Sequence, residues 1–175
     1  MKRVILTSSL VFMPVMSSNV NAANGKVAFT GEIIQSACQV VSGDRDKQVF
    51  LGKYGTSAFP ATGSTTGAKA FSVSLEKCEA GNYTLRFDGP TPEGQPNLLA
   101  VSKASGVGIE LLANNDKVIP IGQVAGDDAL YQSIASSGDA SGTTTFNLRA
   151  RYKSYQQNVI AGEANANATF TVEYK

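Results

Sequence analysis

The sequence contains no histidine and no tryptophan, and its only thiols are those of Cys38 and Cys78. Most mechanisms built on a nucleophile with its base draw on histidine or a free thiol, so the commonest catalytic constellations are excluded. A zinc site would need carboxylates beside the two cysteines, and none stands at a suitable spacing. Asp44 with Asp46 and Asp127 with Asp128 are the conceivable acidic pairs. Both lie in polar, loop-like stretches and bring too few ligands for calcium and no second partner for glycoside chemistry. No catalytic residue, no metal ligand and no cofactor is assigned.

Long apolar runs are missing as well. None reaches the roughly 20 residues that cross a bilayer as a helix. The run Val4 to Met16 follows Lys2 and Arg3 and is succeeded by Ser17, Ser18 and Asn19, which is the layout of a secretory signal peptide. Val20-Asn21-Ala22 places small residues three before and one before a cut after Ala22, so residues 1–22 read as a leader and Ala23 as the mature start. Without Lys2 and Arg3, 13 basic residues face 14 acidic ones, and no surplus of charge marks the mature chain for nucleic acid or an anionic membrane. In an oxidising compartment Cys38 and Cys78 are expected to pair. The bridge closes a loop whose entropy is worth at most about 4 kcal/mol.

The mature chain suits one domain. Short segments rich in β-branched and aromatic residues recur along it, separated by clusters of Gly, Asn, Asp and Pro, and this predicts an all-β class. The candidates are residues 26–34, 48–54, 70–75, 83–88, 97–102, 107–112, 117–121, 143–155 and 164–174. Asn114-Asn115-Asp116 predicts a hairpin between two of them, because these residues tolerate left-handed backbone angles. The small, polar stretches 55–67 and 122–142 are expected to be surface connections. Sustained helical periodicity and fixed repeats are both absent, and this many strands at this length fit an antiparallel sandwich of Ig-like type.

Both ends of the mature chain carry a period of two. At the C-terminus Gly162, Ala164, Ala166, Ala168, Phe170, Val172 and Tyr174 alternate with polar residues up to the final Lys175. At the N-terminus Gly25, Val27, Phe29, Gly31 and Ile33 fall on one face of an extended segment. A glycine fourteen residues from the end, the alternation after it and the penultimate tyrosine resemble the type 1 fimbrial pilin family. Further matches in the same order are Phe29-Thr30-Gly31-Glu32-Ile33, Cys38, Cys78, Leu98-Leu99-Ala100 and the run Gly106 to Leu112.

The resemblance implies an incomplete Ig-like β-sandwich that lacks its final strand and is completed by donor-strand exchange. Residues 23–35 would be the donor-strand extension, with Gly31 marking its register, and residues 36–175 the pilin domain. The strand from Gly162 to Lys175 would border the open groove and be held by a periplasmic chaperone, with the Lys175 carboxylate as one contact. The implied partners are other pilin subunits, that chaperone and an outer-membrane usher, and the implied location is a fimbria on the cell surface that supports adhesion. The short arm resembles minor or adaptor subunits; a major shaft pilin and a receptor-binding subunit are the alternatives. The surface loops carry no legible code for a host receptor.

Overall fold

The structure, a computed structural model, describes residues 26–31, 38–124, 132–134 and 142–174. The leader expected at 1–22 lies outside them. The chain divides between Ile34 and Gln35, and the described residues of the unit beyond hold nine strands: β1 (Gln39–Val40), β2 (Lys69–Cys78), β3 (Gly81–Asp88), β4 (Leu99–Ala100), β5 (Val107–Ala113), β6 (Val118–Ile119), β7 (Gln132–Ile134), β8 (Gly142–Ser154) and β9 (Thr169–Tyr174). Among the described residues every ladder between these strands is antiparallel. The larger sheet has the order β1-β2-β8-β5-β4, with β6 also on β5, and the smaller sheet has the order β7-β3-β9.

The alternation seen in the sequence decides which face of each strand turns inward. Val73 and Leu75 of β2, Tyr83, Leu85 and Phe87 of β3, and Phe146, Leu148 and Ala150 of β8 are all buried and join Leu111 and Ile119 in one core. Strict alternation would point Lys77 inward and Cys78 outward. A register shift between Leu75 and Cys78 reverses this, with Lys77 at φ 54°, so that Cys78 is buried and bonded to Cys38 as expected. The expected hairpin forms between β5 and β6, with Asp116 at φ 64° and the Ala113 N–H donating to the Lys117 carbonyl.

On the other face of β5, Glu110 is fully buried. Its carboxylate accepts from Arg151 at 2.8 Å and from Lys153 at 2.5 Å, both on β8, so the charge is paired where water cannot reach it.

Several expectations differ from the structure. The candidate 26–34 forms no strand over its described part, 26–31, and the candidate 164–174 is a strand only over Thr169–Tyr174, the chain ahead of it having no ladder neighbour. The stretch 122–142, read as a bare connection, contains the short strand β7. The segment 48–54, read as a strand, is extended chain with no ladder partner among the described residues, although Leu51 within it is buried. Its composition is strand-like, but it lines an opening in the sandwich instead of a neighbouring strand.

Candidate functional site: an open groove beside the C-terminal strand

The smaller sheet stops at β9. One edge of that strand is paired with β3 along its length, from Tyr83 opposite Tyr174 to Asp88 opposite Thr169. The other edge has no strand beside it among the described residues. Beside the approach to β9, two adjoining cavities of about 580 and 670 Å3 run between the segments 45–54 and 160–170. They meet at Val49, Leu51, Ile109 and Ala166, which border both. Phe71, Val73, Leu111 and Ala150 of the core form the floor of one and Tyr152 that of the other. Apolar core side chains therefore line a trench that water enters, a defect that costs free energy until something covers it.

The C-terminal wall follows the expected period of two in a weakened form. Ala164, Ala166, Phe170 and Val172 are half-buried while Asn165, Asn167, Thr169 and Thr171 are exposed. Ala168 departs from the pattern and is exposed, and Gly162 is exposed too. An inward face that reaches only half burial is what an uncovered trench produces. Residues 164–168 carry no ladder bonds. The wall is fixed ahead of them, where the Glu163 carbonyl accepts from the backbone N–H groups of Lys103 and Ala104 at 2.8 and 2.9 Å and from Ser102 Oγ at 2.9 Å. A Cβ on Gly162 would lie 2.8 Å from backbone atoms of Lys103 and Ala104, so this close approach requires glycine.

Tyr152 rises from the floor and donates its hydroxyl to the Ala164 carbonyl at 2.9 Å, with the Tyr54 ring edge-on to it at 6.1 Å. Burial, with Tyr54 adding to it, pushes the Tyr152 phenol above its ordinary value, which keeps it a neutral donor. At the far end Tyr174 packs edge-on against Tyr83 at 5.4 Å. Burial first, then Tyr174 and Glu79, raise the Tyr83 phenol, whose hydroxyl donates to the Glu79 carbonyl. Lys175 lies outside the described residues.

The opposite wall starts at Asp44. Its buried carboxylate accepts from the Ser74 N–H at 2.7 Å and pairs with Lys47, holding the chain just ahead of the wall against β2. The hydrogen bond from Lys47 and the backbone donor of Ser74 hold this carboxyl below its ordinary value of 3.8, against the opposing effect of burial. Asp44, one of the acidic residues weighed for chemistry, is thus a structural anchor. Asp127 and Asp128 fall outside the described residues.

The N-terminal segment is seen over residues 26–31. It has no regular secondary structure, and Val27 and Phe29 are 75% and 93% exposed. A Cβ on Gly31 would meet nothing within 4 Å. Gly25 and Ile33 lie outside the described residues. Sequence reading located the C-terminal segment that borders the trench, and missed the wall at 45–54 and the roles of Tyr152 and Asp44. The lone tyrosine and aspartate carry no local signal, because each acts on a residue far away in the chain.

Residues 27–175 match the model of the family described as fimbrial protein. The chain is 51% identical to a type-1 fimbrial protein subunit of Serratia marcescens, over the whole of both chains. A solved type I fimbria protein of Burkholderia pseudomallei superposes with a TM-score of 0.58 at 30% identity, covering 78% of this chain and 88% of that one. The P pilus rod subunit PapA superposes with a TM-score of 0.67 at 19% identity, covering 80% of this chain and 100% of that one, a likeness of fold alone. The fimbrial subunit family is one of structural proteins. By its family model and its end-to-end similarity to a fimbrial subunit, the chain belongs to the fimbrial protein family as a pilin.

Proposed function

We propose that this pilin polymerises by donor-strand exchange, in which the arm of one subunit, residues 23–35, fills the groove of the next. The observation that carries this reading is an apolar trench along the unpaired approach to β9 in a chain whose arm presents Val27 and Phe29 to solvent. An extended arm supplies what the trench lacks: backbone partners along the open edge and an apolar residue at every second position. Burying Val27, Phe29 and Ile33 contributes roughly 1.5 to 3 kcal/mol each, opposed by roughly 1 to 2 kcal/mol per residue for ordering the backbone. Ladder hydrogen bonds and closure of the acceptor core supply the balance. Gly31 then passes over a crowded point, where a side chain would collide.

An uncovered trench is a hazard in solution, so a periplasmic chaperone is proposed to hold Gly162 to Lys175 until an outer-membrane usher takes the subunit. The product is a surface fimbria that supports adhesion. If cleavage follows Ala22 the arm is short, which favours a minor or adaptor place over the shaft. Immunogold labelling confined to fibre tips supports that place; labelling along the shaft refutes it.

The test of the mechanism is thermal unfolding of oxidised residues 36–175 with and without a peptide of residues 23–35. A large rise in Tm with the peptide is expected, since a ligand that binds only the folded state stabilises it. A domain that is stable alone and indifferent to this peptide and to arms of related subunits would overturn the reading.

A further inference from the structure

Alternation alone does not fix where β9 lies along β3. Shifting a strand by two residues keeps the same face inward, so Phe170, Val172 and Tyr174 would remain on the core side. The shift would move β9 by roughly 7 Å along β3, two residues of antiparallel rise. It would also carry the groove wall past the opposite one. The anchors at Glu163, Ala164 and Asn165 do not prevent this, because residues 166–168 have no ladder bonds and lie between them and β9. The ion pair of Arg86 with Glu173, at 2.8 Å, discriminates in one direction only. In the native register Glu173 faces Thr84; a slip towards the far end of β3 would set it directly opposite Arg86 and keep the pair.

One contact distinguishes the registers. Tyr174 lies opposite Tyr83, and its ring spreads over the diagonal neighbour Gly81, where a Cβ would collide with Tyr174 Cε2. Diagonal neighbours on one face of an antiparallel pair are within reach of an aromatic side chain. The ring fills the place of the absent side chain and closes over Tyr83, which is buried. Moved two residues towards Leu85, Tyr174 would leave this bare backbone and meet a filled position.

We propose that Gly81 is a positioning residue for assembly: its bare backbone seats the Tyr174 ring, and this seat sets the register of β9 and hence the placing of the groove wall. It rests on the donor-strand reading only for its consequence; the seat concerns the subunit itself.

The test uses the full mature chain, free and with the peptide of residues 23–35, as wild type, Gly81→Ala, Tyr174→Ala and the double variant. NMR reads the seat as an upfield ring-current shift of the Gly81 Hα that disappears in Tyr174→Ala, and reads the register from cross-strand contacts between Leu85 and Val172. Gly81→Ala is expected to displace those contacts and to weaken peptide binding roughly tenfold, the scale of an overpacked contact. In Tyr174→Ala the seat is already lost, so adding Gly81→Ala there is expected to cause no further loss. Native Leu85–Val172 contacts in Gly81→Ala, or effects of the two substitutions that simply add, would overturn the proposal. If the wild type takes up no peptide, the donor-strand reading fails, and the ring-current shift and register of the free chain still decide the seat.

Discussion

Replacing Phe29 by Ala separates the stability of the subunit from the stability of the fibre. The ring is 93% exposed in the chain, so its removal takes nothing from the core and should leave the unfolding of the isolated subunit unchanged. In the groove of a neighbour the same ring would be buried, and full burial of such a side chain is worth roughly 1.5 to 3 kcal/mol, or about 10- to 100-fold in Kd. A wild-type arm peptide at 100 times its Kd stabilises the acceptor by about 2.7 kcal/mol. If Phe29→Ala weakens it thirtyfold, the same concentration gives only about 0.9 kcal/mol. For a domain of this size the difference appears as a rise in Tm smaller by roughly 5 °C. Thr30→Ala, on the opposite face of the arm, is the control. Equal losses from Phe29→Ala and Thr30→Ala, or none from either, would refute the assignment of faces.

Gly31→Val should leave the subunit's own folding intact, because a Cβ there meets nothing within 4 Å, while fibres fail to appear by electron microscopy. Cys78→Ser removes the bond to Cys38 and should lower stability to urea by about 2 to 4 kcal/mol. Glu110→Gln leaves Arg151 and Lys153 without their buried counter-charge, and a loss of about 3 kcal/mol is expected in the same assay. The Asp44 carboxyl is held below its ordinary value of 3.8 in the folded state, so its contribution is complete above that value and fades as pH falls through the folded one. Urea midpoints followed into acid should show this component in the wild type and lack it in Asp44→Asn.

Where the physics is local, the chain declares it. Alternation in 83–88 and 143–155 gave strands near their observed places, that in 164–174 gave a strand whose ladder begins only at Thr169, and Asn114-Asn115-Asp116 gave the turn of the β5–β6 hairpin. Segment 48–54 has the same composition as a strand and is not one, because ladder bonds need a neighbour and its side of the sandwich opens on the groove. β7 escaped notice because three residues are too few to show a period.

By itself the sequence determined the all-β class, the pairing of Cys38 with Cys78, and two terminal segments with one apolar face each. These follow from periodicity, from the redox chemistry of an exported chain and from residue type, all readable without contacts. Only the tertiary structure decided that a groove lies beside the C-terminal segment, that Asp44 and Tyr152 steady its walls, and that Tyr174 rests on Gly81. Each of these depends on residues distant in sequence meeting in space. A period of two says which way a side chain points; it does not say what stands opposite, and here that is an open edge.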